Sequence, residues 1–237
     1  MPGGERIVSA GVRLRHWIFD LLFPPRCLVC QRVGTWLCAE CVSSLPFIRG
    51  PACERCGVPL QKGVVCRRCS KQPLRIDGVR SVFLFQGAIR VAVHKLKYRG
   101  RRGLAGPLGV LMAEGWLEQH IEVDLVVPVP LHPRRRRQRG YNQSALLAAV
   151  LARRIQRPLL EEALVRVRNT RPQMELDRAE RRRNVLGAFR CAGYVRGRRV
   201  LVVDDVCTTG ATLEACADAL REAGAARVWA LTLARAP

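Results

Sequence analysis

"VLVVDDVCTTGATL" occupies residues 200–213. The apolar run before the aspartates reads as a strand buried on both faces, as in a parallel sheet. Asp204 and Asp205 stand at its carboxyl end. "ATLEACADALREAG" (211–224) has helical spacing and closes on Gly224. In an open α/β sheet, ligands sit beyond the carboxyl ends of the strands. The stretch Val206, Cys207, Thr208, Thr209, Gly210, Ala211 and Thr212 suits a phosphate there. Gly210 permits a tight turn, and Thr208, Thr209 and Thr212 supply hydroxyls. A helix starting near Ala211 turns free N–H groups and its positive dipole end toward the loop. Two carboxylates beside a phosphate cradle suit a sugar phosphate, the carboxylates accepting bonds from ribose hydroxyls. A Walker B strand also ends in acidic residues, but its partner loop needs a Gly-Lys pair, and the sequence contains none. A capped turn with solvated aspartates is the plain structural alternative.

The flanking sequence alternates strand and helix patterns. Strands are expected over 78–87, 123–130, 162–170, in "VLGAFRC" and "RRVLVVDD", and in the closing "ARVWALTLAR". Helices are expected over 88–100, in "LAGPLGVLMAEGWLEQH", over 141–156 and over 211–224. This alternation predicts an α/β fold with a mostly parallel sheet. The expected organisation is an N-terminal segment 1–24 with an amphipathic helix over 6–22, a small cysteine-rich domain over 25–73 and the α/β domain over 74–237.

Eight of the eleven cysteines form four C-x-x-C turns: Cys27/Cys30, Cys38/Cys41, Cys53/Cys56 and Cys66/Cys69. Each turn presents two sulfurs to one metal, and two turns complete a tetrahedral S4 shell, most often around Zn2+. The spacing predicts two structural zinc sites, from turns one and two and from turns three and four. Crossed pairing is open at this level, and a redox or iron–sulfur module is the competing reading. The segment is too small for its own apolar core, so metal would supply its folding energy. Cys191 and Cys216 read as buried thiols. Cys207, near a helix start, reads as a variable position of the loop.

The chain has 237 residues and a formal net charge of +22, and only four of its 41 Lys and Arg residues are lysine. That excess points to polyanionic partners. Basic clusters stand at "KLKYRGRR" (95–102), "HPRRRRQRG" (132–140) and "AERRRN" (179–184). Lys97, Arg134, Arg135, Arg136, Arg137 and Arg139 are candidate contacts to a diphosphate or to nucleic acid. Tyr141 is a candidate base-stacking residue or, equally, a pin at a helix start. His132 reads as a loop histidine. No run approaches the roughly 20 apolar residues that cross a membrane. The N-terminal segment, interrupted by Arg6, Arg13, Arg15 and Asp20, lacks a secretion-signal pattern. A cytoplasmic location with reduced cysteines is expected.

The 200–213 stretch resembles the phosphoribosyl-pyrophosphate (PRPP) signature of type I phosphoribosyltransferases. Together with the cysteine quartets, "KLKYRG", "VVPVPLHPRRRRQRGYNQSALLA" and "NTRPQMELDRAERRRNVLGAF", it resembles the ComF family, linked to natural competence, from about Phe19 to Arg235. The resemblance implies that Asp204 and Asp205 contact ribose, that 207–212 holds the 5′-phosphate, and that Mg2+ accompanies the diphosphate. It sets the diphosphate loop after the strand at 123–130 and a mobile loop over 168–183. Two function classes follow. One is a protein of DNA uptake that binds PRPP and single-stranded DNA, alongside a competence helicase and recombination proteins. The other is a phosphoribosyltransferase acting on an unidentified nucleobase or amine, or a PRPP-sensing regulator. No segment is assignable to an acceptor base, and no catalytic residue is singled out.

Overall fold

The computed structural model describes residues 24–168 and 178–236. The helix expected over 6–22 lies outside them, as does most of the loop expected over 168–183. The chain divides into two compact units, 1–44 and 45–237.

In the first unit the chain reverses tightly. Gly34 donates its N–H to the Pro25 carbonyl and Cys27 to the Arg32 carbonyl, both at 2.8 Å. A short helix, α1 (Ala39–Val42), follows Cys38.

The second unit opens with the second cysteine quartet and α2 (Arg67–Lys71). Then come β1 (Gly78–Leu84), α3 (Gly87–Tyr98), a 3-10 turn (Arg102–Leu104), α4 (Ala105–Leu117), β2 (Leu125–Pro128), α5 (Pro133–Arg139) and α6 (Gln143–Arg154). The chain continues through β3 (Leu164–Arg166), α7 (Arg178–Val185), β4 (Phe189–Cys191), β5 (Arg199–Cys207), α8 (Ala211–Glu222) and β6 (Arg227–Arg235). β1, β6, β5 and β2 form, in that order, one sheet in which every pairing is parallel. β3 and β4 pair antiparallel beside it as a separate ribbon.

The apolar runs explain the sheet. Every residue of β2 is buried, as are Val200, Leu201, Val202 and Val203 of β5. Strand alternation divides them between two layers. Val200 and Val202 share a core with Leu125 and Val127 of β2, Val228 and Ala230 of β6, and Leu213, Cys216 and Leu220 of α8. Leu201, Val203 and Val126 point the other way, where α6 crosses β2 and β5 and packs with α4. Leu108, Met112, Leu147 and Leu151 fill that layer and are fully buried. Each such side chain contributes roughly 1.5–3 kcal/mol relative to exposure.

One segment departs from the sequence reading. The arginines at 134–137, read as part of a diphosphate loop, lie on helix α5. Its ends have the expected chemistry: the His132 ring accepts the Arg134 N–H at 3.3 Å, Pro133 opens the helix, and Gly140 closes it in the left-handed conformation. His132 is thus an N-cap, and its imidazole is held below its ordinary value by burial and by the surrounding arginines.

Candidate functional site

The site is built where β5 ends. β5 runs on through both aspartates to Cys207, paired with β6 as far as Arg235. Alternation along the strand sends the two carboxylates to different partners. Asp205 is buried (2% exposed), and its Oδ1 lies 2.7 Å from the Lys97 ammonium at the end of α3. Its Oδ2 is buried without a hydrogen-bond partner among the described residues. Asp204 is half-buried, and its Oδ1 accepts the Ser144 hydroxyl at 2.8 Å and the Asp205 N–H at 2.9 Å. Burial and the adjacent Asp205 charge push the Asp204 carboxyl up to about 7, against the opposing pull of Lys97, Ser144 and the Asp205 amide. Asp204 is therefore the carboxylate that keeps partial exposure, and Asp205 is committed inward.

Ser144 is positioned by α6. Asn142 caps that helix, accepting the Ser144 N–H at 3.1 Å, while its Nδ2 donates to the Val129 carbonyl at 3.0 Å. This one side chain fastens α6 to the end of β2 and aims the hydroxyl at Asp204. The sequence around Ser144 carries no local signal for this role, because Ser144 acts on a carboxylate brought in by a distant strand.

The loop 207–212 connects β5 to α8. Gly210 is left-handed (φ +84°), and a Cβ there would come within 2.8 Å of Leu74. Thr209 is buried; its Oγ1 accepts the Ala211 N–H at 3.3 Å, and its carbonyl accepts Arg68 Nη2 at 2.5 Å. Cys207 is buried and raised by desolvation; its sulfur lies 2.6 Å from Nη1 of the buried Arg235. Val206, Thr208 and Thr212 keep partial exposure along the loop. The first turn of the twelve-residue α8 presents backbone N–H groups to this turn, an arrangement suited to a phosphate.

The basic candidates divide. Lys97 is spent on Asp205. Tyr141 is buried, donates its hydroxyl to the Leu96 carbonyl and lies under the Arg102 guanidinium at 4.5 Å. It is a pin between α3 and the start of α6. Arg139 bonds Gln143 and lies 5.4 Å from the ring of Tyr98, which is 58% exposed. Arg134, Arg136 and Arg137 are exposed on α5, with Arg136 3.6 Å from Glu161, while Arg135 is half-buried.

The cysteines assemble as two quartets, Cys27, Cys30, Cys38 and Cys41, then Cys53, Cys56, Cys66 and Cys69. Within each, all four sulfurs lie within 4.8 Å of one another. This selects the sequential pairing of turns over the crossed one. A tetrahedral zinc–thiolate centre with bonds of about 2.3 Å has sulfur–sulfur edges of about 3.8 Å. Cys27 and Cys30 each lie 3.7 Å from Cys38, and Cys56 lies 3.8 Å from Cys66. Backbone N–H groups aimed at sulfur also favour thiolate. Desolvation raises Cys27, but amides including that of Cys38 outweigh it and bring the thiol down to about 6. The donor set fits zinc.

Residues 18–70 match the double zinc ribbon domain and 142–237 the phosphoribosyl transferase domain. DNA utilization protein YhgH of Escherichia coli is 33% identical over 223 residues, covering 89% of this chain and 98% of that protein. Competence protein F of Haemophilus influenzae is 30% identical over 224 residues, covering 89% and 97%. The chain belongs to the ComF family. Within that family, competence protein ComFC of Bacillus subtilis is 30% identical over 210 residues, covering 84% of each chain. The ComF fold is thus a mostly parallel α/β sheet with a cysteine-rich double zinc ribbon before it. Among the described residues no helix is long and apolar enough to cross a membrane.

Proposed function

We propose that this protein acts in the cytoplasm in the handling of DNA during uptake, binding PRPP with Mg2+ at the end of β5 and single-stranded DNA on the arginine-rich surface. The observation that carries the reading is the loop 204–212. It combines an accessible, oriented carboxylate at Asp204, a left-handed turn at Gly210 and the N-terminus of α8. Asp204 accepts from the ribose hydroxyls, and the N–H groups of 208–212 take the 5′-phosphate. When bound, Mg2+ supplies charge neutralisation at the diphosphate through hard oxygen ligands. The names of the relatives, DNA utilization protein and competence protein, support the DNA assignment. So does the net charge of +22. Each cysteine quartet holds one structural zinc, and a competence helicase and recombination proteins are the expected partners.

Titration calorimetry of PRPP with Mg2+ tests this. Wild-type protein should bind, and Asp204→Asn should bind more weakly. No binding by the wild type removes the PRPP reading.

Phosphoribosyl transfer is the second reading, favoured by the completeness of the loop. A nitrogen nucleophile would attack the ribose anomeric carbon, and the bond to diphosphate would break with the electron pair leaving on its oxygen. Positioning and stabilisation of the departing charge would supply the catalysis. Mg2+-dependent diphosphate release with candidate acceptors, single-stranded DNA included, decides between the two.

A further inference from the structure

The second cysteine quartet lies in the same compact unit as the parallel sheet. Cys53, Cys56 and Cys69 are buried in one core cluster with Leu74, Ile76, Cys207, Ala211 and Leu213. Gly57 is left-handed, and a Cβ there would come within 2.7 Å of the Val79 carbonyl on β1. Val79 in turn donates its N–H to the Arg55 carbonyl at 3.1 Å. The ribbon therefore packs backbone to backbone against the sheet.

Its connections converge on the phosphate loop. Arg68 sits on α2 between the sulfur ligands Cys66 and Cys69, and its Nη2 donates to the Thr209 carbonyl at 2.5 Å. Leu74 fills the space beside Gly210. The Arg75 N–H donates to Glu214 Oε1 at 2.9 Å, and the Arg75 guanidinium to Asp218 at 2.7 Å. Arg221, at the far end of α8, donates to the Arg75 carbonyl and to Asp77, both at 2.8 Å. The segment leaving the last cysteine thus runs along the first three turns of α8 and is fastened to it at each. Thr209 and Gly210 have their backbone fixed from the ribbon side.

We propose that Arg68 is a positioning residue that couples metal at the second cysteine quartet to the conformation of the 207–212 loop, so that metal occupancy there and PRPP affinity rise together. The PRPP half of this rests on the function proposed above. The coupling follows from the geometry. α2 is a five-residue helix with the ligand Cys66 as its N-cap and the ligand Cys69 at its centre. Isolated helices that short do not persist in water. Metal fixes α2, α2 fixes the Arg68 side chain, and Arg68 fixes the Thr209 carbonyl, which holds the following N–H groups toward the anion. Linkage makes the effect reciprocal: PRPP should tighten metal binding at this quartet by the factor that metal improves PRPP binding. The first quartet makes a separate compact unit and serves as the control.

Three measurements on the full-length, zinc-loaded chain test it. Arg68→Ala should keep both zinc ions by native mass spectrometry. It should raise hydrogen exchange of the 209–214 amides and weaken PRPP about tenfold, on the order of one charge-assisted hydrogen bond. Arg68→Lys, which keeps a charged donor, should restore part of both effects. Cys66→Ser should lose one zinc and raise exchange in the same amides, whereas Cys30→Ser should lose one zinc and leave them unchanged. Zinc release to a chromogenic chelator should show a phase slowed by PRPP, and Cys66→Ser should abolish that phase. Unchanged exchange in Arg68→Ala, or equal exchange in Cys30→Ser and Cys66→Ser, would overturn the coupling. If wild type binds no PRPP, the functional proposal fails, while the exchange measurements still decide the coupling.

Discussion

Lys97 and Asp205 form a buried ion pair at 2.7 Å that joins the end of α3 to the end of β5. The ammonium keeps 23% of its side chain exposed, the carboxylate 3%. Burial alone would lower the lysine, but the Asp205 charge prevails and raises it, so it stays cationic throughout the neutral range. Its charge also partly offsets the repulsion between the adjacent aspartates. Removing it takes away the cation paired with Asp205 and leaves the two neighbouring carboxylates to repel each other. Lys97→Met should cost about 3 kcal/mol of folding stability, the low end for breaking one side of a buried pair. Adding Asp205→Asn should recover most of the loss. Denaturant unfolding of the two variants checks both statements, and wild-type stability in Lys97→Met would show the pair to be inconsequential.

Asp204 makes stability and ligand affinity respond to pH in opposite senses. Its folded-state value is raised to about 7 by burial and by Asp205, above the ordinary aspartate value of 3.8. The folded state therefore holds a proton that the unfolded state has released between those values, and stability falls as pH rises through that window. The melting temperature should drop between pH 5 and pH 8, and less so in Asp204→Asn. PRPP affinity should rise across pH 7, because the ionised carboxylate is the better acceptor for ribose hydroxyls. Part of that rise belongs to PRPP, whose phosphate loses its second proton near pH 6. Calorimetry on the asparagine variant isolates that part. Parallel pH profiles for the two proteins would deny Asp204 the role.

Two zinc ions per chain are expected by native mass spectrometry on protein prepared without chelator. Cys30→Ser should lose one zinc and lower the melting temperature more than Cys216→Ser. Cys216 is fully buried but lies in an apolar core on α8, where a serine leaves a small and local defect. Equal thermal shifts would contradict a folding role for the first site.

Single-stranded DNA affinity should fall steeply with salt, with a log–log slope of about −0.7 for each phosphate neutralised. Arg134, Arg136 and Arg137 are exposed on α5, so replacing all three by alanine should shallow the slope by about 2 units. Zinc content should stay the same. An unchanged slope would move the DNA to another face, with Tyr98 and the basic residues at 99–102 the next candidates.

The sequence by itself determined the features that depend on near neighbours along the chain. Four C-x-x-C turns specify sulfur pairs, an apolar run specifies a buried strand, and "DDVCTTGAT" specifies a turn into a helix at the strand's carboxyl end. The helix at Pro133–Arg139 was legible too, through His132 before it, Pro133 at its start and Gly140 after it. Four adjacent like charges masked those caps. Only the tertiary structure decided which distant groups meet. Lys97 is directed into Asp205 because α3 ends against β5, and Ser144 reaches Asp204 because Asn142 fastens α6 to β2. The sequential pairing of the cysteine turns and the bond from Arg68 to Thr209 arise in the same way. Periodicity and spacing encode local conformation, while contacts between remote segments follow from how the layers pack. That packing divided the two adjacent aspartates into one that keeps partial exposure at the strand end and one that is held by a lysine.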